Sequence, residues 1–303
     1  MTYNRLSNTH LYFLDLGLLV IALSWGASYS LMQLIIQAGV TIPLFLMLRF
    51  ALSVPFMFIG TKIHLSKITK GELVNGLLFG CLLYVILTLE TLGVKQTTAA
   101  NAGFLIALSV VIVPFFERFL GKRKQSKFIY FTCILSFIGG GILSLANTGK
   151  FGFNQGDWII LFAALIRGFQ IFMFGKQTSG KSYSLINITI IELAIVTLLG
   201  FITVLLFEPT SLYFIPKISV KIWGYILFLS AMATAFAFLM QLYAAKVTSP
   251  TRVGLILSLE PAFAALFAIV LTGEHIGVLK SIGGLMIISS ALLGRIAEGR
   301  CYE

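Results

Sequence analysis

Arg167 lies near the centre of an apolar run, 158–175, that is long enough to cross a bilayer. An arginine at that depth costs about 2.5–3.5 kcal/mol on insertion scales, so it is expected to face a polar cavity or an acidic partner and to mark a solute path. Glu192 and Glu260 lie in other long apolar runs and are the expected partners. Gln170 follows Arg167 by three residues and shares its helix face, as Tyr29 does with Trp25 in the first span and Thr88 with Tyr84 in the third. Gln241 adds a polar group from another span, and Asn101 stands near the start of the fourth. Trp25, Tyr29, Tyr84, Asn101, Arg167, Gln170, Glu192, Gln241 and Glu260 thus form a candidate substrate-binding set suited to a zwitterion. Arg167 would take a carboxylate, an acidic residue the ammonium, and Trp25 and Tyr84 the apolar walls. The competing reading is a structural lock, Arg167 paired with Glu192 or Glu260 and never meeting substrate. Arg49, near the start of the second span, reads as a site residue or as one that snorkels to the interface, and Glu90 at the far end of the third is ambiguous.

The elements that must hold these residues are membrane helices. The 303-residue chain is 58% hydrophobic and 11% charged, with a mean hydropathy of +0.98, values outside the range of soluble domains. Hydropathy windows predict ten spans, 12–34, 43–60, 73–92, 98–117, 128–147, 158–175, 184–207, 222–244, 251–271 and 278–296. The net charge of +11 suits nucleic acid in a soluble protein, but its placement is sided. With the N-terminus inside, 15 of the 22 Lys and Arg residues fall in inner loops and 5 in outer ones (Lys95, Lys150, Lys217, Lys221 and Lys280). Arg49 and Arg167 lie within spans. That sidedness predicts both termini in the cytoplasm and no nucleic-acid partner. The first run has no convincing cleavage site and reads as a retained helix. Cys81, Cys133 and Cys301 are too scattered for a disulfide framework or metal site, and His10, His64 and His275 lie at or beyond span ends.

The chain also matches itself. KQTTAANAG, 95–103, parallels KVTSPTRVG, 246–254, at an offset of 151, Gly121 parallels Gly273, and Trp25-Gly26 falls opposite Arg167-Gly168. This divides the chain into 1–150 and 151–303, two five-span units. Because five is odd, tandem copies insert with opposite topology, giving an inverted repeat with a solute site near the midplane. Pro55, Pro114 and Pro261 lie inside expected spans and should kink them, and Gly76, Gly80, Gly139 to Gly141, Gly283 and Gly284 should permit close helix packing. GKQTSGKS, 175–182, satisfies the P-loop pattern, but it joins two spans and not a strand to a helix, so nucleotide hydrolysis is not expected. NIT at 187–189 matches a glycosylation acceptor buried in a span. There is no H-E-x-x-H, Asp-rich diphosphate–Mg²⁺ motif or G-x-S-x-G.

The two five-span halves, SWGASYS around Trp25-Gly26, Arg49-Phe50, and the paired stretches AANAGFLIALSVVIVPFFERFLGKR and SPTRVGLILSLEPAFAALFAIVLTGEH together resemble the drug/metabolite transporter superfamily, EamA-type branch. The resemblance covers nearly the whole chain. It implies an all-α integral membrane carrier of ten transmembrane helices in two inverted five-helix repeats, with a central cavity formed by the first four helices of each half and the fifth and tenth outside as supports. Members of this kind commonly export amino acids or other metabolites, driven by a gradient or by exchange, but membership does not set the substrate; with the polar set above, the expectation is an inner-membrane exporter or exchanger of a small polar or zwitterionic metabolite such as an amino acid, coupled to protons or a counter-solute and needing no cofactor. The alternatives are an exchanger of a larger anionic metabolite, such as a nucleotide derivative or S-adenosylmethionine, or a membrane enzyme or receptor. The halves differ at two points: Ser109-Val110 stands opposite Glu260-Pro261, and Gly121-Lys122 opposite Gly273-Glu274.

Overall fold

The computed structural model describes residues 8–59, 68–121, 127–148, 153–178, 180–247 and 250–300. Arg5, Lys62, His64, Lys67, Lys122, Arg123, Lys124, Lys150, Ser179 and Cys301, which enter the charge-sorting and motif arguments, lie outside these residues.

Apolar runs that must satisfy their own backbone groups in lipid form helices, and every expected span interval carries helix: α1 Asn8–Gln37, α2 Ile42–Phe58, α3 Lys70–Gln96, α4 Ala99–Ile106, α5 Leu108–Phe119, α6 Lys127–Thr148, α7 Gln155–Thr178, α8 Leu185–Phe207, α9 Val220–Ser230, α10 Ala237–Val247, α11 Pro250–Leu257, α12 Glu260–Thr272 and α13 Val278–Arg300. Among the described residues, six helices are long and apolar enough to cross a membrane, and Ile42–Phe58, Tyr130–Ile142, Glu260–Thr272 and Val278–Gly294 are shorter apolar helices.

Three expected continuous spans are interrupted. The fourth breaks at Ala107 between α4 and α5, and the ninth at Ser258 and Leu259 between α11 and α12. At both breaks the ladder tightens to three-residue bonds: Val110 N–H to Ala107 O at 3.2 Å, and Leu259 N–H to Ile256 O at 3.1 Å. Pro261 was expected to kink a helix from within; it stands instead in the first turn of α12, where its missing N–H removes no helical bond. The eighth span contains a π-helical segment, Ala231–Phe236, linking α9 to α10.

α1 packs against α12 and α5 against α7; α2 and α3 both pack on α8, α2 also on α9 and the π segment, and α6 against α13. The glycine stripes serve these internal contacts. A Cβ on Gly76 or Gly80 would stand 2.6 Å from the Cβ of Ile191 or Ile195 on α8, and one on Gly139 would stand 2.8 Å from Gly283 O on α13. At the α3 start Thr69 and Glu72 form a reciprocal capping box, and Glu72 also accepts from Ser184 N–H at 2.6 Å and Asn187 Nδ2 at 3.3 Å. One carboxylate thereby caps α3 and α8 at the same end of the bundle. At the opposite end Thr97 donates to Asp157 at 2.6 Å, and Ala99 N–H at the α4 start donates to Glu274 at 2.7 Å.

Candidate functional site

Helix geometry sets the depth of each polar group. At about 1.5 Å per residue, Arg167 lies about 18 Å along α7 from Gln155, Glu90 about 9 Å from the Gln96 end of α3, and Arg49 about 10 Å along α2 from Ile42. The Gln155 and Gln96 ends adjoin, since Thr97 bonds Asp157. Helical side chains lean toward the N-terminus of their own helix, so the Arg167 guanidinium rises toward Gln155 and reaches the depth of Glu90. It pairs with Glu90 there, Nη2 to Oε1 at 2.5 Å.

This corrects the expected partners. Glu192 lies about 10 Å from the Leu185 end of α8 and leans toward that end, away from Arg167. It accepts instead from Gln170 Nε2 at 2.9 Å, and the same amide donates to Phe79 O at 3.1 Å. Glu260, in the first turn of α12, accepts from the Tyr29 hydroxyl at 2.7 Å. Both carboxylates still lie within electrostatic range of Arg167. The lock of Arg167 with Glu192 or Glu260 is therefore not the arrangement formed.

Arg49 is the second correction. It sits midway along α2, its residue is only 5% exposed, and it does not snorkel. Its Nε donates to Thr234 Oγ1 at 3.1 Å, and Thr234, in the π segment, in turn donates to Leu229 O of α9 at 2.9 Å. Trp25 reaches the same segment, its Nε1–H donating to Ala233 O at 2.8 Å.

The remaining candidates are placed elsewhere. Tyr84 donates to Thr203 Oγ1 at 2.8 Å across the α3–α8 contact. Asn101 is fully buried near the start of α4 and donates to Asp157 at 3.3 Å, within the end-of-bundle network. Gln241 is half-buried on α10, and among the described residues no hydrogen bond or ion pair joins it to the central groups. Tyr29, Glu90, Arg167 and Glu260, with Arg49 beside Glu90, therefore form the centre, and Gln170 with Glu192 continues it toward the Glu72 end. The signal that could have found Glu90 and Arg49 was depth measured from helix ends combined with side-chain lean.

The centre is incompletely satisfied. Glu90 Oε1 and Arg167 Nε are sealed from solvent without an aligned hydrogen bond, the 2.5 Å approach being a charge contact off the hydrogen-bond axis. The Arg167 side chain as a whole keeps 26% of its surface accessible, against 3% for Glu90. Such a set can bind a carboxylate at guanidinium donors and a cation at flanking carboxylates. Among the described residues no group of three or more His, Cys, Asp or Glu side chains is arranged to hold a metal. The GKQTSGKS run begins inside α7, whose helix continues to Thr178, and Lys181 lies 5.3 Å over the Tyr183 ring.

Comparison with known proteins agrees with this architecture. A profile of the EamA-like transporter family matches residues 13–145 and 154–294. An uncharacterized transporter of Archaeoglobus fulgidus is 26% identical over 283 residues, covering 93% of this chain and 85% of its own. A second uncharacterized transporter of that organism is 23% identical over 217 residues, 67% of this chain and 69% of its own. A solved crystal structure superposes with a TM-score of 0.61 at 16% identity, over 94% of this chain and 99% of that one, a likeness of fold. With its helical bundle and both matched segments, the chain belongs to the EamA-like transporter family.

Proposed function

We propose that this membrane transporter is a secondary carrier of a small polar or zwitterionic metabolite, an amino acid being the leading case, moved across the inner membrane by alternating access. The observation that carries this reading is the Arg167–Glu90 pair deep in the bundle, accessible on the arginine side and short of hydrogen bonds on both. A substrate carboxylate is met by the accessible part of the Arg167 side chain, and Glu260 and Glu90 provide negative charge for an ammonium.

Alternating access follows from two five-helix units, 1–150 and 151–303, inserted in opposite senses. Cross-packing supports this reading. In the self-alignment Gly26 corresponds to Gly168, and Ile112 to Phe263. A Cβ on Gly26 would stand 2.5 Å from the Phe263 Cβ, and one on Gly168 would stand 3.3 Å from the Ile112 Cβ. Each half thus lays its glycine on the corresponding helix of the other, and the breaks at Ala107 and Ser258 are likewise 151 residues apart. In this arrangement both termini are cytoplasmic, and Glu192 or Glu260 carries a coupling proton or a counter-solute's charge.

The test is uptake of a mixed metabolite pool into proteoliposomes, read by mass spectrometry, for wild type beside folded Arg167→Lys and Arg167→Ala. A carboxylate-bearing solute is expected to enter unmodified with wild type and to be lost with both variants, since lysine lacks the bidentate fork. Wild-type rates retained in Arg167→Ala, or a chemically changed product, would sink the reading.

A further inference from the structure

Arg49 has donors that the protein does not use. A guanidinium carries five N–H donors and no acceptor. The Arg49 side chain uses Nε on Thr234, and no carboxylate lies within ion-pair distance of it among the described residues. The rings of Phe45 and Phe50 lie 5.9 and 5.5 Å from its Cζ, which holds the plane without filling the Nη donors. Among the described residues neither Nη is among the sealed polar atoms that lack a partner, whereas Arg167 Nε is, so the Nη edge of Arg49 keeps some accessible surface. A residue with 5% exposure, pinned at one nitrogen and with its fork unbonded, is preorganised to receive an anion.

Glu90 shows where that anion belongs. Its carboxylate pairs with Arg167, and Arg49 lies beyond ion-pair distance of it but within its electrostatic range, so a substrate carboxylate seated between the two guanidinium groups would meet both. Glu90 supplies the counter-charge to Arg167 from α3. We propose that Arg49 is a second substrate-binding residue, and that the carried molecule is recognised through a carboxylate bridging Arg49 and Arg167 in competition with Glu90. This rests on the carrier reading with Arg167 as the substrate anchor. It makes the acidic group the specificity element and leaves neutral analogues outside the substrate class. A site with two arginines also admits a more acidic cargo than Arg167 alone supports.

The alternative role for Arg49 is a brace that holds the π segment through Thr234. The experiment separates the two with the full-length protein in proteoliposomes, using α-amino acids and short dicarboxylic acids, each beside its methyl ester. The readout is the ratio of kcat/KM for acid over ester. Wild type is expected to prefer the acid. Arg49→Gln is expected to lower kcat/KM for the acid on the order of 100-fold, as loss of charged hydrogen bonds predicts, with the ester within about threefold of wild type. Arg49→Lys, which keeps the charge and protects the fold, is expected to lose roughly tenfold on the acid alone. Thr234→Val, which removes the brace and keeps the guanidinium, is expected to retain the preference. Equal loss on acid and ester in Arg49→Gln, or the same profile in Thr234→Val, assigns Arg49 to bracing and overturns the proposal. If Arg167→Gln erases the preference and Arg49→Gln does not, this inference falls and the Arg167 reading stands. If neither variant alters it, or wild type shows no preference, both fall.

Discussion

Glu90→Gln and Arg167→Gln are predicted to destabilise unequally, and their double mutant to recover much of the loss. Glu90 keeps 3% of its side-chain surface accessible and Arg167 26%, so the two changes strand different charges. Removing Arg167 leaves a sealed carboxylate about 9 Å from the nearer end of α3 without its nearest cation. Breaking a buried pair in this way costs about 3–5 kcal/mol. Removing Glu90 leaves a guanidinium that is partly accessible and still in range of Tyr29 and Glu260, so about 1–3 kcal/mol is expected. The double mutant strands neither member of the pair, the loss of Glu90's charge near Arg49 is common to it and to Glu90→Gln, and the cycle should return a coupling of about 2–3 kcal/mol. The assay is reversible unfolding of the four proteins in mixed detergent and SDS micelles, followed by far-UV circular dichroism. Additive losses in the double mutant, or Glu90→Gln proving the more damaging change, would refute the argument from burial.

Three further expectations follow. Gly168→Ala places a Cβ 2.9 Å from Ser109 O and should cost about 1–3 kcal/mol by overpacking, whereas Gly224→Ala meets nothing within 4 Å and should be neutral or stabilising; thermal unfolding of the two compares them directly. Glu72→Ala removes the acceptor for Ser184 N–H, Thr69 N–H and Asn187 Nδ2 and should cost about 1–3 kcal/mol, measured as faster hydrogen exchange at the first turns of both α3 and α8; protection lost in α3 alone would contradict a shared cap. In a cysteine-free background, Lys181→Cys should react with an impermeant maleimide only from the inner face and Thr210→Cys only from the outer face; both positions are exposed, and the opposite pattern would invert the proposed orientation.

Much of the architecture was legible because lipid leaves a chain few choices. Apolar runs in a bilayer become helices, and the ten intervals read from hydropathy each carry helix in the structure. The helix breaks were not legible, since Ala107 and Ser258 lie in runs that hydropathy treats as continuous and local bonding alone decides where a ladder tightens. Arg167 stood out for the same reason that the spans did: a charge in an apolar run is costly enough to need a partner. Its partner did not stand out. Glu192 and Glu260 sat more centrally in their runs than Glu90, and sequence position cannot show that Arg167 leans toward Gln155 while Glu192 leans toward Leu185. Likewise Arg49 looked free to reach the interface until the packing of α2 on α8, α9 and the π segment enclosed it beside Thr234. Composition and periodicity, which act through transfer from water to lipid, determined by themselves that this chain is a helical membrane protein with a charge that must be answered. Which carboxylate answers it, and which arginine donors remain open, was decided by tertiary packing, because those outcomes depend on the relative depth and lean of side chains from different helices.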